Sequence, residues 1–267
     1  MSQRRRQNGF TLVEMLAVIV IIGILTGLVT AAVMNVRSRV MRATIKAEIN
    51  QLALALAAYK AEHGEYPPDG TDEIAFLRHF DIVFPYSEIK FDNDSEDPSQ
   101  KLKDPSEALV FWLGGPDGNG FSVNPQNPLD KGGPRTTPFF QFDPDRIEDG
   151  KYLLDGLKSP FVYFRAENGG YAGKSYDSSE IHGEDHHDDE NDGQQPGGAQ
   201  PDHEHIVTPY MHNNTEWMSA QSFQIITTGL DGKFGKGSDF PSGSDYCSEA
   251  LDNITSFSNV TLEDEMP

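Results

Sequence analysis

Two groups of residues have types and spacings that could do chemistry. Glu14 is the only charge in an apolar run from Phe10 to Val36, which follows the three arginines Arg4, Arg5 and Arg6. A carboxylate in hydrocarbon is expensive and requires a cationic partner. A cut between Gly9 and Phe10 would supply one, because the new Phe10 amine would lie close to Glu14 of a neighbouring copy. The second group follows a β-branched run, Phe223-Gln224-Ile225-Ile226-Thr227-Thr228, and continues Gly229-Leu230-Asp231-Gly232-Lys233-Phe234-Gly235-Lys236-Gly237-Ser238-Asp239. Glycines let such a turn wrap so that carbonyl and carboxylate oxygens converge, the donor set that Ca²⁺ takes. Asp252-Asn253 would return another oxygen to the same place.

The elements that position Glu14 admit two plain readings. The apolar run has the length of a transmembrane anchor, and the arginines before it place the remainder of the chain outside the cytoplasm. A secretory signal peptide would instead be cut after the core, at Ala31-Ala32. Neither explains why a carboxylate stands near the start of the run.

The basic leader ending in Gly9, then Phe10-Thr11-Leu12-Val13-Glu14 and a long apolar helix, resembles the type IV pilin and type II secretion pseudopilin class. The resemblance covers the first thirty or so residues. It implies that prepilin peptidase cuts between Gly9 and Phe10 and methylates the Phe10 amine. Glu14 then pairs with that amine of an adjacent subunit, and the apolar helices form a filament core. The implied partners are other copies or other pseudopilins, the peptidase and an inner-membrane assembly platform. The implied location is the inner membrane, single pass, with a periplasmic C-terminal domain.

Val36 to Tyr59 contains neither Pro nor Gly, and Ile45, Ile49, Leu52, Leu56 and Tyr59 form a helical apolar stripe. Arg37, Arg39, Arg42, Lys46 and Glu48 supply solvent-compatible positions. The helix is expected to stop near His63-Gly64, before Tyr66-Pro67-Pro68. That Tyr-Pro ending is also similar to major pseudopilins. A short helix within 69–80 is expected, with Thr71 as N-cap and Ile74, Leu77 and Phe80 on one face. A second, buried helix is expected from Pro105 to Leu113, capped by Asp104. Residues 114–133 read as a loop, over aromatic surface from Phe139-Phe140-Gln141-Phe142. Its Gly114–Gly120 run lacks the Lys-Ser/Thr ending of a phosphate cradle. Phe161–Arg165 reads as a strand, with Asn168-Gly169-Gly170 turning it into a hairpin.

The formal charge of −21 argues against a nucleic-acid surface, which needs a basic stripe. Cys247 is the only cysteine, so no intrachain disulfide can pin the C-terminal loops. In this family that departure points to the calcium-clamped pseudopilin branch. The resemblance assigns Asp231 and Asp239 as turn carboxylates, the carbonyls of Thr228 and Lys233 as backbone donors, and Asp252 as the final acidic residue. The simpler alternative is that Asp231-Gly232 forms a hairpin turn and nothing more. In the segment 177–205, His182, His186, His187, His203 and His205 lie among acidic residues; the composition fits a solvated loop better than a metal site. No Ser/His/Asp or Cys/His spacing supports catalysis, so the expected protein is not an enzyme.

The expected architecture is α+β and pilin-like, a long N-terminal helix on a small antiparallel sheet. Its parts are a leader (1–9), a membrane or filament-core helix (10–36), its periplasmic continuation (37–66), an inserted helix and loop region (67–158) and a sheet region (159–267). The sheet region carries the disordered acidic loop 177–205 and the calcium loop 228–252. The expected role is a structural pseudopilus subunit that supports protein export; the alternative is a minor pilin or adhesin-like surface subunit.

Overall fold

The computed structural model describes residues 12–93, 95, 97, 100–178, 206–212, 216–234, 239–240, 248–259 and 261–262. Helix α1 spans Leu12–His63. It crosses two compact units, residues 1–41 and 42–267. In the first, every position from Leu12 to Thr30 is exposed, and the segment is long and apolar enough to cross a membrane. Two of its polar side chains satisfy themselves locally, since the Thr26 and Thr30 hydroxyls donate to the carbonyls of Ile22 and Thr26 at 2.7 and 2.8 Å.

In the second unit the stripe of Ile45, Ile49, Leu52, Leu56 and Tyr59 is buried, as its spacing requires. The helix ends at Gly64, whose φ of 89° suits a residue without a Cβ. Glu48 and Lys46 depart from the solvent-compatible role assigned by sequence. Glu48 accepts a two-pronged ion pair from Arg146 at 2.7 and 3.0 Å and the Tyr152 hydroxyl at 2.7 Å. The Lys46 Nζ donates to the carbonyl of Thr255 at 2.8 Å. Isolated charges on a helix say nothing about partners a hundred or two hundred residues away.

The inserted region is a layer of two short helices, α2 (Glu73–Val83) and α3 (Ala108–Gly114), over the end of α1. Asp72, and not Thr71, caps α2, accepting from the amides of Ile74 and Ala75. Thr71 is used elsewhere, its hydroxyl donating 2.6 Å to Asp69. The buried face of α2 is Phe76, His79 and Phe80, whereas Ile74 is 78% exposed. Ile74 lies about 200° round the helix from Phe76, so a face that buries Phe76, His79 and Phe80 leaves it outside. All of α3 is buried. Asp104 caps the turn that leads into it, accepting from the amides of Ser106 and Glu107 at 2.7 and 3.1 Å, so regular helix begins only at Ala108. Phe76, Phe80, Phe91, Phe111 and Trp112 pack ring against ring between the two helices. Phe142 occupies the space beside Gly114 that a Cβ would need, so the aromatic run does sit under the loop.

The main sheet is antiparallel, β3 (Val162–Arg165) against the central β8 (Phe223–Thr227), with β10 (Ile254–Thr255) on the far side. Val162 lies opposite Ile226 and Arg165 opposite Phe223. Smaller pairs surround it: β1 (Ile147–Glu148) with β2 (Lys151–Tyr152), and β4 (Tyr176–Asp177) with β5 (Ile206–Val207). In a fourth group β6 (Met211–His212) pairs antiparallel with β7 (Glu216–Trp217) and parallel with β9 (Asp239–Phe240). A last helix, α4, spans Ser248–Leu251. The turn expected at Asn168-Gly169 is present, both residues having positive φ. Its continuation makes one antiparallel bridge, Glu167 to Gly170, and does not return as a strand beside β3: β8 takes one edge, and on the other the Tyr163 and Arg165 amides go to the Pro105 carbonyl and Asp69. Val162, Phe164 and Ile226 pack with Tyr171, Tyr176, Val207, Tyr210, Phe234 and Leu262 in one cluster.

The junction between α1 and this sheet is ionic. Asp69, buried, accepts from the Thr71 amide and hydroxyl on one oxygen, and from the Arg165 amide and Lys174 Nζ, both at 2.7 Å, on the other. The Tyr163 hydroxyl bonds the Pro67 carbonyl at 2.8 Å. Removing one partner of a buried pair leaves the other charge uncompensated. Asp69→Ala is therefore expected to lower stability by roughly 3–5 kcal/mol in denaturant unfolding; a loss below about 1 kcal/mol would show that the network is not structural.

Candidate functional site

At the N-terminus, Gly9 and Phe10 lie outside the described residues, and Glu14 stands in the first turn of α1. A carboxylate there also suits the positive end of the helix dipole. Nothing else polar in the stretch Leu12–Thr30 is acidic or basic, so Glu14 is the single charged feature an otherwise apolar helix presents.

The C-terminal loop is assembled from two distant segments. Strand β8 ends at Thr227 and the chain passes through buried Thr228 to Gly229. The Asp252 carboxylate, delivered by α4, fills the position a Gly229 Cβ would occupy. It accepts the Leu230 amide at 2.7 Å through Oδ2. Asp231 folds onto its own turn, accepting the Lys233 amide at 2.8 Å, and Gly232 has a φ of 77°. The Ser159 hydroxyl holds the Gly232 carbonyl at 3.0 Å. Next to Asp252, Asn253 donates to the Phe234 carbonyl and the Tyr210 hydroxyl at 2.5 and 2.9 Å. Asp252 thus stands at the turn although residues 240–251 intervene in the sequence.

Three buried oxygens on these two segments have no hydrogen-bond partner among the described residues: Thr228 Oγ1, Asp252 Oδ1 and Asn253 Oδ1. Burial raises the Asp252 carboxyl above the usual carboxylate range, and the Asp231 charge adds to this; the Leu230 and Asp231 amides and the Arg42 charge work against it. An ionised Asp252 is therefore under-compensated by the chain alone. Among the described residues no three His, Cys, Asp or Glu side chains gather in a way that could hold a metal ion. The donor set here is two carboxylates with neutral oxygens, which suits a hard cation and not a transition metal.

The structure thus brings Thr228, Asp231, Lys233 and Asp252 to one turn. The backbone of Asp239 pairs with Met211 in β9, and its side chain lies outside the described residues. The histidines at 182, 186, 187, 203 and 205 are likewise outside the described residues. The sequence points to the Thr228 carbonyl but not to its hydroxyl, and it names Asn253 only as the neighbour of Asp252, without a role for its own side chain. The available signal was the polar Asp252-Asn253-Ile254-Thr255 run facing a strand that ends in Thr227-Thr228.

Comparison with known proteins bears on the other end of the chain. Residues 4–30 match the prokaryotic N-terminal methylation motif. Glu14 is inside that motif. The N-terminal region is also similar to type II secretion system core protein G of Pseudomonas aeruginosa, 43% identical over 65 residues, which is 24% of this chain and 46% of the relative. The protein of the same name from Aeromonas hydrophila is 42% identical over 65 residues, with the same coverage, and that from Klebsiella michiganensis 40% over 65. The chain spans just under half the length of the curated relatives it matches. No solved structure matches it.

The close approach of Asp252 to Gly229 yields a test of the loop's construction. Gly229→Ala would force the carboxylate out of its place and is expected to cost about 1–3 kcal/mol in equilibrium unfolding. An unchanged midpoint would show that Asp252 is not seated as described.

Proposed function

We propose that this chain is a structural subunit of a type II secretion pseudopilus, processed at its N-terminus and assembled through α1. The observation that carries the reading is the methylation motif at residues 4–30, which contains Glu14 and runs into an exposed apolar helix of membrane-spanning length. The similarity of the N-terminal region to type II secretion system core protein G supports it. In this reading Gly9–Phe10 is the processing bond. Before assembly α1 anchors the subunit in the inner membrane, with the remainder in the periplasm. After processing, the methylated Phe10 amine of one subunit meets Glu14 of the next. The charge that makes Glu14 costly in hydrocarbon then becomes a selective contact, because an ion pair is strong where water is excluded. Other copies or other pseudopilins are the filament partners, and prepilin peptidase and the assembly platform act on the subunit in the membrane. The role is mechanical, with no catalysis.

The turn at Thr228–Asp252 is proposed as a Ca²⁺ site. The unpartnered buried oxygens of Thr228, Asp252 and Asn253 support this, as does the crowding of Asp231 and Asp252 without an adjacent pair of cysteines. Asp231, Asp252 and the Thr228 and Lys233 carbonyls would hold the ion, with Asp239 as a further carboxylate. A bound cation would neutralise the carboxylates and fasten the turn to the segment bearing Asp252, as a disulfide would.

Glu14→Ala is expected to leave processing at Gly9–Phe10 intact and to abolish filaments, scored by N-terminal sequencing of the membrane fraction and by electron microscopy. Normal filaments from the variant would end the pairing model. Saturating Ca²⁺ is expected to stabilise the protein by about 2.7 kcal/mol at one hundred times its Kd. Asp252→Asn should remove that gain while leaving the ion-free protein as stable as wild type or more so. A melting temperature indifferent to Ca²⁺ in the wild type would refute the site.

A further inference from the structure

His79 is the buried polar group that neither proposed role uses. It is 0% exposed, lies on the inner face of α2, and bridges two other elements. Its Nε2 is 2.8 Å from the Tyr59 hydroxyl near the end of α1, and its Nδ1 is 2.9 Å from Glu65 in the turn beyond. The charges around it fix its tautomer. Burial works against ionisation of Glu65, but the His79 hydrogen bond and the Arg165, His79 and Arg78 charges hold its carboxyl below the usual range. Glu65 is therefore an acceptor, and Nδ1 carries the proton. Burial pushes the Tyr59 phenol well above its ordinary value, so it keeps its hydrogen and donates it to Nε2.

We propose that His79 is an acid-sensitive latch that fastens α2, and with it the inserted layer, to the C-terminal end of α1. A second proton on the ring makes Nε2 a donor, so the Tyr59 hydroxyl must turn its oxygen to accept from it. The Tyr59 hydrogen then loses its acceptor inside a packed aromatic site bounded by Trp112, whose ring centroid is 5.0 Å from that of His79. Glu65 gives the imidazolium only partial compensation, because it also faces Arg165 at 3.7 Å and Arg78 at 3.9 Å. The groups around the ring are Tyr59, Glu62 and His63 from α1, Glu65 from the turn, Arg78 from α2, Trp112 from α3 and Arg165 from β3. Burial lowers the His79 pKa most; Glu65 raises it, and Arg165 and His63 lower it further. With the folded value below the ordinary one of about 6.5, the latch contributes its full stability above that pH. The contribution is lost as pH falls through the lowered folded value.

The latch carries its own reporter, since an imidazolium in contact with an indole quenches its fluorescence. Trp112 is one of two tryptophans, so the full-length Trp217→Phe protein in detergent micelles isolates it. Over about pH 7.5 to 4.5, spanning the histidine range, Trp112 emission is expected to fall with one midpoint below about 6.5. At that pH the amides of α2 should lose hydrogen-exchange protection tenfold or more, while those of β8 keep theirs. Glu65→Gln removes the ring's counter-charge and should move the midpoint to lower pH; His79→Gln should abolish it. Flat emission, a midpoint that survives His79→Gln, or protection lost from α2 and β8 together would overturn the latch. If His79→Gln does not fold, as shown by unprotected β8 amides at neutral pH, the Glu65→Gln midpoint decides, and an unmoved midpoint is fatal to the proposal.

Discussion

The carboxylate of Asp69 is buried among four hydrogen-bond donors, and that placement ties the end of α1 to β3 and to the segment bearing Lys174. Pro67-Pro68 ends the helical run but does not say where the chain goes next. Asp69 decides it, by binding the Arg165 amide in β3 and the Lys174 ammonium beyond the turn at Asn168. The close approach this demands is visible at Gly70, where the Lys103 carbonyl fills the space of a missing side chain and φ is 83°. A buried ion pair adds little to stability compared with a well-packed apolar substitute, but it is intolerant of any other pairing. Its role here is to specify which strand edge the end of α1 meets.

From that junction the inserted region leaves and returns. It departs through Asp69-Gly70 and comes back alongside the main sheet, where the Tyr163 amide donates to the Pro105 carbonyl at 2.8 Å. Between these points it forms an aromatic layer over α1 and is stitched to that helix a second time by Glu48 and Arg146. Both stitches reach α1 within the unit that begins at Arg42. The insertion thus packs onto the same unit as the sheet, and it is attached there through the helix it covers. A site such as His79, at the seam between α1 and α2, senses conditions for both.

What the sequence made legible follows the range of the interactions involved. The helix of Leu12–His63, its stop at Gly64, the strand of Phe223–Thr227 and the turn at Asp231-Gly232 are all written in local periodicity and turn chemistry. The cap of α2 is ambiguous by one residue in the sequence because Thr71 and Asp72 are both competent caps; the Thr71 hydroxyl goes to Asp69, whose own burial is set by its distant partners Arg165 and Lys174. The partner of β3 was misread because a two-residue turn signals a reversal of the chain, not the formation of a strand after it. Glu48 and Lys46 were assigned to solvent because their partners, Arg146 and the Thr255 carbonyl, lie far along the chain. The N-terminal motif is readable because it is linear, a basic leader with a carboxylate at fixed spacing within residues 4–30. The C-terminal turn was only half readable, since Asp252 joins it through tertiary contact.

The two proposed roles for carboxylates rest on one physical argument applied twice. On the proposed membrane reading Glu14 stands in an apolar helix, and Asp252 sits beneath Gly229 with one oxygen buried; both placements make a negative charge costly. In a protein of net charge −21 an added positive charge offsets that cost. At Glu14 it is proposed to come from the amine of a neighbouring subunit, so that the cost of the charge in the free subunit favours assembly. At Asp252 it is proposed to come from a metal ion, so that the same cost in the ion-free turn favours binding. An amine fits the first because one carboxylate at a helix terminus offers a single counter-charge position. A divalent cation fits the second because Asp231 stands beside Asp252 and neutral buried oxygens on both segments are left to complete the coordination.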